Sequence, residues 1–153
     1  MAGLVWTELE ARKLLREHGL ADKGWTFKFD NARKRAGLCM YGSRTISMSR
    51  YLVAMWGEDQ VMQTLLHEVA HALTPGASHG PVWQAKAREI GFTRGTRTHN
   101  NEVVPGRYIA VCDTCNAEVY RAHRFTAAMR QGRHIHTTCR TRVRWVDTAG
   151  TRV

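Results

Sequence analysis

A chain of 153 residues that is 43% hydrophobic and 24% charged has the length for one good core, or a small core plus an appendage, and the composition of a globular protein. Its longest apolar run, YLVAMW at 51–56, is far too short to cross a bilayer, and MAGLVWTELE lacks the basic flank and apolar core of a signal peptide, so a cytoplasmic protein without a membrane partner is expected. The formal net charge of +10 is uneven: residues 1–92 carry 12 basic and 9 acidic side chains, whereas residues 93–153 carry 11 basic, all of them arginine, and 4 acidic. Such a block suits a polyanionic partner such as nucleic acid. In a reducing compartment the four cysteines point to metal ligation rather than to disulfides.

TELEARKLLREHGL (7–20) reads as an amphipathic helix, with Thr7 and Glu10 as a capping box and Gly19 closing the far end. WTFKF (25–29) alternates large apolar and polar residues, as a half-buried strand does. After the polar loop DNARKRAG come LCMY (38–41) and RTISMS (44–49). The three segments predict a three-stranded antiparallel meander. In EDQVMQTLLHEVAHALTPG, Glu58 and Asp59 favour a helix start and the apolar residues Met62, Leu65, Leu66, Val69 and Leu73 recur at helical spacing up to Pro75-Gly76. PVWQAKAREIG predicts a further helix, with Pro81 in its first turn and Gly91 beyond its end.

Residues four apart on a helix lie one turn apart on one face. His67 and His71 can therefore present imidazole nitrogens to one ion, and Glu68 beside them can act on water rather than bind metal. This is the logic of H-E-x-x-H in zinc peptidases: the metal polarises the scissile carbonyl and acidifies water, and the glutamate moves the proton. A third protein ligand is needed. The spacing H-E-x-x-H-x-x-G-x-x-H would put histidine at Ala77, which excludes that pattern. His79, after the turn TPGAS, can return over the last turn of the helix; the competing reading is an exposed loop or capping histidine. Cys39, in GLCM, is a rival third ligand, set against its reading as a small buried apolar residue in a strand.

LLHEVAHAL…HGPVW, with RAGLCMYGSRTISMSRYL upstream, resembles the SprT-like metalloprotease family, whose eukaryotic relatives include the DNA-associated protease Spartan. The resemblance covers about residues 5 to 92 and continues into a Cys/His tail. It implies an α+β, zincin-like metalloprotease domain built of an N-terminal helix, the three-stranded antiparallel meander, the HExxH helix and a following helix. It implies zinc on His67, His71 and His79, with Glu68 as general base. The gap between His71 and His79 is shorter than in Spartan-like members, so a differently shaped cleft is expected.

Residues 93–106, TRGTRTHNNEVVPG, lack periodicity and read as a linker between a domain at 1–92 and a second one at 107–153. There RYIAVC, AEVYRAH and RTRVRWV read as short strands around Cys112-x-x-Cys115 and His136-x-x-Cys139, two knuckles that make a Cys3His zinc ribbon. Three cysteines cannot pair among themselves. His134 is the rival fourth ligand and His123 a weaker one. A site with four protein ligands is closed and structural, so two Zn2+ ions are expected, one catalytic and one structural. Tyr120 and Trp145 are expected to fill the small interior of the ribbon. Arg121, Arg124, Arg133, Arg140, Arg142 and Arg144 are candidates to contact nucleic acid.

Taken together, the sequence predicts a monomeric zinc endopeptidase acting on protein substrates, with DNA as a partner brought by the ribbon and a nucleoid association to match. A reading of a different class is a nucleic-acid-binding adaptor whose metal sites are only structural. Glu68 separates the two, because a structural site has no use for a glutamate there.

Overall fold

The computed structural model describes residues 1–95 and 103–150, so the middle of the expected linker, residues 96–102, lies outside the described residues. The chain divides into two compact units, Met1–Val104 and Pro105–Val153. Among the described residues it is a mixed α+β protein with five α-helices and two sheets, and no helix is long and apolar enough to cross a membrane.

The first unit opens with α1 (Leu4–Glu17), followed by β1 (Thr26–Asp30), β2 (Gly37–Met40) and β3 (Thr45–Ser49). Helix α1 begins a turn earlier than the capping box at Thr7 requires. Gly3 is its N-cap, and Thr7 is fully buried, its hydroxyl donating to the carbonyl of Gly3 at 2.9 Å. The start is pinned from outside the helix: the Ala2 N–H donates to the Trp56 carbonyl at 2.7 Å. At the far end Gly19 does take the left-handed conformation, at φ 69°.

The three strands do not form an antiparallel meander. Their order is β1-β3-β2, with β1 parallel and β2 antiparallel to β3. The reason lies in β3, every residue of which is buried. A strand covered on both faces belongs in the middle of a sheet, where both edges find partners. Its polar residues are satisfied there: Ser47 donates to the Asp30 carboxylate at 2.7 Å and Ser49 to the Ala32 carbonyl at 2.6 Å. The half-buried β1 and β2 are left at the edges.

Ser49 has a second task. Its hydroxyl accepts from the Leu52 N–H at 3.2 Å and so caps α2 (Arg50–Met55), a short helix that the periodicity of YLVAMW does not announce. Helix α3 (Glu58–Leu73) buries Val61, Leu65, Leu66, Val69 and Ala70 and packs against α1, β2 and α4 (Pro81–Glu89). Past α4, Thr93 donates its N–H to the buried Gln63 side chain at 2.9 Å, and Arg94 pairs with Asp59 at 2.7 Å.

The second unit is a four-stranded antiparallel sheet in the order β5-β4-β7-β6, made of β4 (Tyr108–Cys112), β5 (Glu118–Ala122), β6 (Ile135–His136) and β7 (Thr141–Asp147), with the single-turn α5 (Ala127–Arg130). Its core is small: Ala110, Ala122, Met129, Val143 and Trp145, with Tyr108 and Phe125 against them. Tyr120 does not join that core. It is 58% exposed on the edge strand β5 and meets the buried Trp145 in a T-shaped contact, ring centroids 6.2 Å apart. A bidentate pair of Arg107 with the buried Asp147, at 2.7 and 2.8 Å, ties the approach to β4 to the end of β7 and holds the Asp147 carboxyl below the usual range.

Candidate metal centres

Helix α3, packed against β2, carries His67, Glu68 and His71 in its last two turns. His67 and Glu68 are buried and His71 is half-buried. The helix stops at Thr74, whose hydroxyl donates to the Ala70 carbonyl at 2.7 Å. Two successive turns then reverse the chain, closed by Ala77 N–H to Thr74 O and Gly80 N–H to Ala77 O, both at 3.1 Å. Gly76 supplies the left-handed residue of the first turn, at φ 78°. The reversal delivers His79 to the two helix histidines, and Gln84 holds the His79 carbonyl at 2.9 Å.

The three Nε2 atoms form a near-equilateral triangle: 3.2 Å from His67 to His71, 3.0 Å from His71 to His79 and 3.1 Å from His79 to His67. An imidazole Nε2 carries either one proton or one lone pair, so three in mutual contact cannot all be satisfied by hydrogen bonds to one another. A shared cation satisfies all three. Ligand nitrogens at about 2.0–2.1 Å from a tetrahedral zinc ion lie about 3.3 Å apart, close to the observed sides. Burial, with the charge of His79 adding to it, pushes His71 down to about 4, so that its ring is neutral and free to ligate.

Trp83, from the first turn of α4, has no exposed surface, and its indole packs on His67, His71 and His79 with ring centroids 4.7, 5.2 and 4.7 Å away. Phe92 packs on both the indole and the His67 ring, with centroids 5.7 and 5.4 Å away. This aromatic floor was visible in the sequence only as the last letter of HGPVW.

Glu68 faces a cleft of about 450 Å³ lined by Gly37, Leu38, Cys39, Tyr41, Glu68, His71, Gly76 and Ser78. Burial pushes its carboxyl up to about 7, against a smaller opposing pull from Arg35. Tyr41 donates its hydroxyl to the His71 carbonyl at 3.1 Å. Cys39 lines the same cleft but is not one of the grouped ligands; burial, reinforced by the charge of Glu68, pushes its thiol up to about 12, the state of an inert thiol.

In the second unit, Cys112 at the end of β4, Cys115 in the following turn, His136 at the end of β6 and Cys139 in the turn before β7 bring four ligand atoms within 4.8 Å of one another. The knuckle turns are marked by positive φ at Asn116 and Arg140, 57° and 53°. Sulfur of Cys115 lies 3.6 Å from Nδ1 of His136, near the spacing expected of two ligands on one zinc. The backbone N–H of Cys115, with Thr141 and Thr114 assisting, holds the Cys112 thiol well below its usual range, as a thiolate ligand requires. His134 stands outside the group: its ring meets Trp145 edge-on at 5.4 Å and its Nδ1 is buried without a partner. His123 is not in the group either. Either cluster could hold a metal ion.

All six candidate arginines are exposed. Arg121 is paired with Glu118, and Arg144 with Asp113 at 3.1 Å and Asn116 at 3.0 Å. Arg124, Arg133, Arg140 and Arg142 have no ion pair among the described residues.

A search of curated proteins finds no match to this chain. The family model described as SprT-like matches residues 10–105, which takes in β1 to β3, the HEVAH helix, His79 and Trp83. That match spans most of the chain and all of the three-histidine cluster with its glutamate: the chain belongs to the SprT-like family.

Proposed function

We propose that this protein is a zinc-dependent endopeptidase. The observation that carries the reading is the triangle of His67, His71 and His79 nitrogens set beside a buried glutamate in an open cleft. His67, His71 and His79 hold the metal. A zinc ion there supplies Lewis-acid polarisation of a carbonyl and lowers the pKa of water toward neutrality. Glu68 takes a proton from the attacking water and gives it to the leaving amine nitrogen. In the metal-free chain burial raises this carboxyl, the direction that makes it a stronger proton acceptor. β2 pairs with β3 on one side only and contributes Gly37, Leu38 and Cys39 to the cleft, so an extended substrate segment pairs with its free edge by strand addition.

The second unit holds a structural zinc through Cys112, Cys115, His136 and Cys139. Arg124, Arg133, Arg140 and Arg142 serve as its phosphate contacts, and DNA-associated proteins in the cytoplasm are the proposed substrates of a monomeric enzyme. The adaptor reading loses ground to Glu68, a buried carboxyl that a purely structural site does not need.

The test is cleavage of casein and of a DNA-binding protein, with and without single-stranded DNA, by the wild type and by Glu68→Gln. Loss of at least about 10³-fold in kcat at unchanged metal content is expected of the variant. Zinc-dependent cleavage that survives the substitution contradicts the general-base role.

A further inference from the structure

Gly37 opens β2, opposite Met48 of β3. Its backbone is not in the left-handed region, so no turn geometry demands glycine there. Glycine inside a strand is unfavourable, and where it occurs without a conformational reason it marks a close approach by another group. Here that group is Glu68. A Cβ added at Gly37 would lie 2.7 Å from Oε1, 2.9 Å from Cγ and 3.1 Å from Cδ of Glu68, and these are its three nearest neighbours. The first two are shorter than a Cβ contact tolerates, and the third is tighter than an ordinary contact, so the carboxylate has to shift. Glu68 cannot retreat with its backbone, because Leu65 and Val69 on either side of it are locked in the core at 0% and 1% exposure. Its side chain would have to turn away instead.

We propose that Gly37 is a positioning residue for Glu68: the space left by its missing side chain is the seat of the carboxylate, and any larger residue displaces that carboxylate from its working place. This rests on the reading of Glu68 as general base. The three nearest atoms all belong to Glu68 and none to a metal-ligating histidine, so the effect is directed at the carboxylate.

Gly37→Ala is compared with the wild type in cleavage, zinc content and urea denaturation, and the denaturation is repeated for both residues at position 37 in a Glu68→Ala background. The expected result is a loss of about 10²-fold in kcat, the scale of an ångström of misplacement, with KM and zinc content unchanged. The urea midpoint should fall on Gly37→Ala when Glu68 is present. It should hold or rise when position 68 is alanine, because the clash is then gone and alanine suits a strand better. An equal fall in both backgrounds, an unchanged kcat, or loss of zinc with the activity would each overturn the proposal. Glu68→Gln run alongside keeps the two ideas apart. If that variant still cleaves, the general base is wrong; if it is inactive while Gly37→Ala cleaves normally, the positioning role is wrong.

Discussion

At the scale of single residues, Glu68 is held at a cost to the fold. A carboxyl whose pKa rises from 4.5 to about 7 on folding is penalised whenever it is ionised. The sign follows from proton binding: between those two values the folded chain holds the proton more tightly than the unfolded one, so stability falls as pH rises, and the deficit is complete above pH 7. Glutamine carries no such charge. Glu68→Gln should therefore stabilise the metal-free protein at pH 8, by at most about 3 kcal/mol, and leave it unchanged at pH 4. Urea denaturation of the chelated protein at the two pH values reads the difference. An equal gain at both would mean that packing rather than charge is responsible. Destabilisation of this kind is expected where a residue is kept for function rather than for stability.

At the scale of elements, the three-histidine cluster is one piece of local chain: helix α3, the reversal through Pro75 and Gly76, and the first turn of α4. Trp83 supports all three histidines at once. Its indole N–H is buried without a partner, so Trp83→Phe removes an unsatisfied donor while leaving a small void, two changes in stability that oppose each other. What does not cancel is the lost support under the imidazoles. Zinc affinity of the first unit should fall about 10- to 100-fold, measured by competition with a chelator, with the unfolding midpoint little changed. An unchanged affinity would show that the ring is filler.

Much of this site was legible because it is local: the spacing of His67 and His71, the stop at Pro75-Gly76 and the return at His79 are all written within about one motif. The knuckles at Cys112 and Cys139 are legible for the same reason. The sheet was not. Whether β1 pairs with β2 or β3 depends on which strand is buried on both faces, and the alternating Thr, Ser, Ile and Met of β3 look like a half-buried edge until Asp30 and Ala32 are seen to satisfy Ser47 and Ser49. Thr7 misled in a similar way. A threonine followed by Glu10 fits a cap, but the hydrogen bond of Ala2 to Trp56, which no local pattern reveals, starts the helix earlier. The seat of Glu68 at Gly37 is likewise a contact between residues 31 positions apart.

At the scale of the whole molecule, the two units hold themselves together differently. The first has a large apolar core running from Ala2 to Phe92, so on the proposed reading a metal there serves chemistry rather than folding. The second buries only a handful of apolar side chains, few for a segment of that size, so on the proposed reading a metal in its Cys/His cluster is a structural member. Metal stoichiometry therefore distinguishes the two centres. Elemental analysis of the purified chain should find two zinc ions, and one in His71→Ala, with the remaining ion still protecting the second unit from proteolysis. Cys139→Ala should also hold one, this time with the second unit unfolded and the first intact. A wild type with a single zinc that His71→Ala leaves in place would contradict the assignment of a metal to the three histidines.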